Sequence, residues 1–186
     1  MRAIVASIVV MSWGASAQAD VAALLDQAKA AAARKEHAKV VAALEDALTE
    51  ARREAPLTAS PFVLITEKAA FFGAYTPRRD AVFGGSDEMR FYLEPKNLVY
   101  PRRADGTYAP AFTVDYEILD ATGAVVSRGD KFGDFGFTSK SRLQDIYVNL
   151  ALSLTGAPPG KYTVRFTLRD KNSPKTAILT QPFTWR

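Results

Sequence analysis

The 186-residue chain contains no cysteine and a single histidine, His37. The first absence removes disulfides, thiol nucleophiles and thiolate metal ligands together. The second leaves any Ser-His nucleophilic pair with one possible base, and His37 lies among Glu36, Ala38 and Lys39 in a charged N-terminal segment. Zinc and copper sites want several His or Cys ligands, so no transition-metal centre is expected. Charge of one sign is not in excess: 24 basic residues stand against 20 acidic ones, interspersed, which argues against nucleic acid as a partner. No Gly-x-Gly-x-x-Gly or Walker-type pattern occurs, so no nucleotide-phosphate cradle is expected, and Gly84-Gly85-Ser86 reads as a turn.

A long apolar run is also missing. The most apolar stretch, Ala3 to Trp13, is too short for a ~30 Å hydrocarbon core. It follows Met1-Arg2 and precedes Ala17-Gln18-Ala19, the layout of a signal peptide cleaved after Ala19. The expectation is export to the periplasm or beyond, with no transmembrane anchor in the mature chain and no lipidated cysteine. Removing Arg2 leaves 23 basic residues against 20 acidic.

Between Asp20 and Glu54 there is neither Gly nor Pro, and Ala, Leu, Glu, Lys and Arg dominate until Pro56, as in a helical region. Val21, Leu24, Leu25 and Ala28 share one helical face; Val40, Val41, Leu44, Leu48 and Ala51 share another. The interruption at Arg34 to His37 predicts two antiparallel helices. Ala30 to Leu48, with Lys35-Glu36-His37 at the turn followed by Val40, Leu44 and Ala47, resembles part of a tetratricopeptide hairpin. The usual turn glycine is absent and no second copy follows, whereas such repeats bury a core only when stacked. A docking or oligomerising helical pair is the plainer expectation.

After Pro56, Gly and Pro recur, and short β-branched and aromatic runs alternate with polar residues. Strands are predicted near 62–67, 89–94, 112–119, 124–128, 147–153, 162–169 and 177–185. Phe112, Val114, Tyr116 and Ile118 alternate with Thr113, Asp115 and Glu117, so one face buries and the other is wet. Asp120-Ala121-Thr122-Gly123 reads as a hairpin turn, as does Asp170 to Pro174. The predicted architecture is mainly β: an immunoglobulin-like antiparallel sandwich of about seven strands over 57–186, preceded by a helical hairpin at 20–56 and the signal peptide at 1–19.

Pro159-Gly160-Lys161-Tyr162 through Asp170, with a last strand ending Pro182-Phe183-Thr184-Trp185, resembles the final hairpin of bacterial immunoglobulin-like domains. The resemblance implies that the Tyr162 hydroxyl bonds back to nearby backbone at the entry to the penultimate strand. It covers roughly thirty residues and implies fold, not activity.

Few groups remain for chemistry. Asp115 and Glu117 share a strand face about 7 Å apart, a spacing compatible with paired-carboxylate hydrolysis but found on any half-exposed strand. Asp130 and Asp134 flank Lys131-Phe132-Gly133 and match no EF-hand loop. Lys161, Arg165 and Arg169 form an outward stripe that can meet an anionic surface or pair with Asp115 and Glu117.

Interaction surfaces are better supplied. Gly129-Asp130-Lys131-Phe132-Gly133-Asp134-Phe135-Gly136-Phe137 sets three phenylalanines among glycines and charges, which either cap the core or form a hydrophobic hot spot. Phe71-Phe72-Gly73-Ala74-Tyr75-Thr76-Pro77-Arg78-Arg79 is a second aromatic loop ending in two arginines. The expected binding residues are Phe132, Phe135, Phe137, Tyr75, Arg78 and Arg79, with no catalytic residue, metal or cofactor. The expected role is a non-enzymatic interaction module for a cell-envelope protein. The alternative is a carbohydrate-binding module presenting coplanar rings from Phe71, Phe72, Tyr75, Tyr92 or Tyr108, and a carboxylate hydrolase ranks below both. Arg102-Arg103 reads as solvated loop charge.

Overall fold

A computed structural model describes residues 20–143 and 145–186, so the signal-peptide expectation for 1–19 lies outside the described residues. The chain divides into two units at Glu50 and Ala51. In the first, α1 (Val21–Ala33) starts where Asp20 accepts the Ala22 amide at 3.2 Å. It ends where the Lys35 amide bonds Ala32 O and the Glu36 amide bonds Ala31 O, with Lys35 at φ +58°. That is the Schellman pattern with lysine in the left-handed position, which is why a turn forms without the glycine expected there. Then α2 (His37–Glu54) follows and stops just before Pro56. Leu24, Ala28, Ala31, Ala43 and Ala47 are buried, whereas Leu25, Val41, Leu44 and Leu48 are exposed. On α2, Val41, Leu44 and Leu48 therefore face outward while Ala43 and Ala47 face inward. Among the described residues no helix is long and apolar enough to cross a membrane.

The second unit is a β-sandwich. One sheet holds β1 (Thr58–Ile65), β3 (Glu88–Lys96) and β6 (Val148–Ser153) in the order β1-β3-β6. The other holds β2 (Val82–Phe83), β4 (Ala111–Leu119), β5 (Val125–Gly136), β7 (Gly160–Asp170) and β8 (Thr176–Trp185) in the order β2-β8-β7-β4-β5. All pairings are antiparallel except β2 with β8. Splitting consecutive strands between two facing sheets in this way is the immunoglobulin-like arrangement. Met89, Phe91 and Leu93 from one sheet meet Phe112, Val114, Val164, Phe166 and Leu168 from the other, all fully buried. At the centre Phe91 and Phe166 pack edge to face with centroids 5.0 Å apart.

The expected turns form. Gly123 takes φ +86° and its amide bonds Asp120 O. Asp170, buried at the β7–β8 turn, accepts from the Asn172 amide, the Ser173 hydroxyl and the Val99 amide, so one carboxylate ties the hairpin to the loop after β3. The Tyr162 hydroxyl donates to Pro158 O at 2.8 Å, the backward bond implied by the family resemblance. One expectation is corrected: residues 129–137 are no separate loop, because β5 continues to Gly136 beside β4.

Candidate functional site

On β5, Tyr116 pairs with Gly129 and Val114 with Gly133, so Asp130, Lys131 and Phe132 together oppose Asp115 alone. This bulge is held by Asp115, which accepts the Lys131 amide at 2.8 Å while Lys131 takes φ +49°. The bulge changes the alternation, so Phe132 and Phe135, three apart, both turn inward. Phe132 packs on Tyr116 and Phe166, Phe135 stacks on Phe112, and Phe137 stacks less closely on Phe112. All three rings are half-buried against the core.

The outer face of the same sheet is an ion-pair zipper. Arg169 meets Asp115 at 2.9 Å, Arg165 meets Glu117 at 2.6 Å, and Lys171 meets Asp134 at 2.9 Å. Burial alone would raise the Asp115 carboxyl, but the Lys131 amide and Arg169 prevail and hold it below its ordinary range. Asp115, Glu117 and Asp134, three of the carboxylates considered for a hydrolase or a calcium loop, are thus each tied to a guanidinium or ammonium. Among the described residues no three His, Cys, Asp or Glu side chains gather in a metal-binding arrangement.

The second aromatic loop is built differently. Residues 66–81 fold back over the outer face of the three-stranded sheet, where Ile65, Ala69 and Tyr92 form a small second core with Val63, Tyr75 and Tyr147. Tyr75 stacks on Tyr92 at 4.4 Å and Tyr92 on Tyr147 at 5.5 Å. Three side chains rising from the sheet strap the loop down. Asn149 exchanges two hydrogen bonds with the Ala69 backbone, and Tyr147 donates to Ala70 O at 2.9 Å. The Tyr92 hydroxyl accepts the Gly73 amide at 2.7 Å and donates to Glu94 Oε1 at 2.7 Å. Glu94, only 6% exposed, takes Lys96 on its other oxygen at 2.8 Å, and the Lys96 ammonium lies 5.4 Å from the centre of the Phe72 ring. Burial pushes the Tyr92 hydroxyl up to about 12, so it stays a donor to Glu94.

The strap leaves its tip bare. Phe71 is 73% exposed and Phe72 37%, on a turn closed by the Ala74 amide bonding Phe71 O. Arg78 is held inward, bonding Asp80 and Val82 O with its guanidinium 4.2 Å from the centre of the Phe83 ring, while Arg79 is exposed. The structure therefore brings Tyr75 and Phe72 to one site, gives Arg78 a structural post, and places Phe132, Phe135 and Phe137 on the other sheet. Of the five rings of the carbohydrate alternative, Tyr92 is buried, Tyr75 and Tyr108 are half-buried, and only Phe71 and Phe72 are exposed. Glu94, Lys96, Tyr147 and Asn149 were missed from sequence. The signal was present: Phe91-Tyr92-Leu93 is consecutive apolar sequence in an alternating strand, which requires cover on both faces.

No protein-family model matches the chain, and no curated protein matches it. Solved structures similar to it include CopC from Methylosinus trichosporium OB3b, 16% identical over 57% of this chain and 82% of that one, with a TM-score of 0.33. Another is a Niemann-Pick type C2 protein from the Japanese carpenter ant, 7% identical over 71% of this chain and 94% of that one, with a TM-score of 0.39.

Proposed function

We propose that the chain is a non-enzymatic interaction module that docks a protein partner through the Phe71–Phe72 tip. One observation carries this reading: Phe71 stands in water next to Phe72, whose ring meets Tyr147 edge-on, on a loop whose other aromatic rings and hydrogen-bonding side chains are used to fix it. Covering an exposed phenylalanine is worth about 1.5–3 kcal/mol, and a preformed tip spends little entropy on ordering. The leader-like pattern of residues 1–19 supports a partner among cell-envelope proteins.

The test is capture from an envelope extract with the wild-type chain, a Phe71→Ser/Phe72→Ser variant and an Ile178→Ser variant, Ile178 being an exposed apolar residue of β8. A defined protein bound by wild type and Ile178→Ser, and lost from the double variant, supports the reading. Equal retention by all three removes the tip from it, and retention of glycan instead of protein transfers the site to carbohydrate.

A further inference from the structure

A second surface lies apart from the Phe71–Phe72 tip. Residues 100–110 and 137–143 contain Arg102, Arg103, Lys140 and Arg142 against one acid, Asp105, an excess of three positive charges in a chain whose total is +4. These segments are not loose loops. Arg102 pairs with Tyr108, and Tyr108 with Ser139, as three short extended pieces side by side. The Tyr108 amide bonds Ser139 O at 2.8 Å, the Ser139 amide returns to Tyr108 O at 3.1 Å, and the Arg103 amide bonds Thr107 O at 2.7 Å.

Directly opposed residues project from the same face, so Arg102, Tyr108 and Ser139 share one side of this platform. The Arg142 guanidinium lies 5.3 Å from the centre of the Tyr108 ring, which adds it to that side. The Ser139 hydroxyl accepts the Ser141 amide at 3.2 Å and lies 3.5 Å from the Ser141 hydroxyl. The carboxylate within these segments is turned into its own loop. Asp105 takes the Thr107 hydroxyl at 2.7 Å and its amide at 2.9 Å, bonds that hold it ionised below the usual carboxylate range.

We infer that the Arg102–Tyr108–Arg142 face, with Ser139 and Lys140 at its margin, binds a phosphate-bearing anion. Planar guanidiniums, one of them already ordered on an aromatic ring, suit the oxygens of a phosphoryl group, and the serine hydroxyls supply uncharged donors to the same oxygens. An isolated phosphate would engage part of the platform. A ligand carrying several phosphates would engage its length, whether as a lipid headgroup or as a soluble phosphorylated molecule.

The test titrates the full chain with inorganic tripolyphosphate at low ionic strength, and separately with vesicles containing phosphatidylglycerol. The expected result is saturable binding of tripolyphosphate, weakened about tenfold or more by Arg102→Gln/Arg142→Gln and less than about twofold by Lys161→Gln/Arg128→Gln, which removes the same two charges from the other strands of the sheet. If the double variant melts early, Arg102→Gln/Lys140→Gln replaces it. Binding of the vesicles as well assigns the phosphate to a lipid headgroup, and tripolyphosphate alone assigns a soluble ligand. Absence of saturable binding to both, equal weakening by Lys161→Gln/Arg128→Gln, or tighter binding of a polyglutamate peptide than of tripolyphosphate overturns the inference.

Discussion

Replacing Tyr92 by phenylalanine tests whether the loop of residues 66–81 is held by the chain of bonds running from the Gly73 amide through Tyr92 to Glu94 and Lys96. The ring would stay stacked between Tyr75 and Tyr147, so the substitution removes one oxygen and little packing. Two partners lose it: the Gly73 amide at 2.7 Å and Glu94 Oε1 at 2.7 Å. A hydrogen bond to a charged group contributes about 1.5–3 kcal/mol, and an amide left buried without a partner costs about 1–3 kcal/mol. Because the turn at Gly73 lies at the surface, it can lift and let water reach the amide, which cuts the second contribution. The expected loss is therefore about 2–4 kcal/mol, read as a lower urea midpoint, with faster amide hydrogen exchange at Gly73 than at β7 residues. Tyr147→Phe, which frees only the Ala70 carbonyl, should cost about 1 kcal/mol. A Tyr92→Phe variant within about 0.5 kcal/mol of wild type, with exchange at Gly73 unchanged, would refute the strap as the element that orders the Phe71–Phe72 tip.

Three other outcomes follow from the geometry. A Cβ added at Gly129 would sit 2.5 Å from Tyr116 Cε1, so Gly129→Ala should displace that ring and lower stability by about 1–3 kcal/mol, seen in a thermal melt; an unchanged melting temperature would refute the close approach. Tyr162→Phe should cost about 1 kcal/mol through loss of the bond to Pro158 O, with β7–β8 amide exchange nearly unaltered; a loss below about 0.3 kcal/mol would make the corner bond incidental. Burial pushes Tyr92 and Tyr100 each up to about 12, against about 10 unfolded, so the folded state keeps two protons that the unfolded state releases. Stability should then be full below about pH 10 and fall as pH rises toward 12, and phenolate absorbance of the folded protein should show Tyr92 and Tyr100 ionising only toward pH 12; ionisation of both near pH 10 would refute their burial.

The sandwich was legible where alternation is unbroken. Lys161 to Arg169 reads polar and apolar in turn, and the structure keeps that parity in β7 against both β4 and β8. The edge strand β5 was not legible past Arg128, because glycines and charges suggest a loop and because a three-residue bulge changes which positions face inward. The same bulge explains why a cluster of three phenylalanines looked like a hot spot: the spacing of 132 to 135 is wrong for a flat strand and right for a kinked one. The zipper pairs could be anticipated as neighbours in type but not in register, since only the pairing of β4 with β7 decides that Glu117 faces Arg165. In the second aromatic loop, sequence singled out Tyr75, Arg78 and Arg79, whereas the bare tip is Phe71–Phe72. Exposure there depends on which rings the sheet's own tyrosines can reach, and that depends on long-range contacts such as Asn149 with Ala69. On the helices, the heptad-like positions of Leu44 and Leu48 promised burial, but the alanine-lined seam lets the backbones approach on the other face.

The kink in β5 also bears on how molecules of this chain coexist at high concentration. The outermost strand of the five-stranded sheet offers Val125 and Val126 to solvent, and a straight strand with that exposure is a template onto which another copy can add hydrogen bond by hydrogen bond. Lys131, projecting from a left-handed backbone position between two glycines, breaks the row of donors and acceptors that such templating requires. Deleting Asp130 and Lys131 would leave Phe132 alone opposite Asp115 and remove this irregularity, leaving the smaller shift between Ile118 and Leu119. A chain shortened in this way should associate edge to edge more readily than the wild type, read as faster growth of light scattering at high concentration.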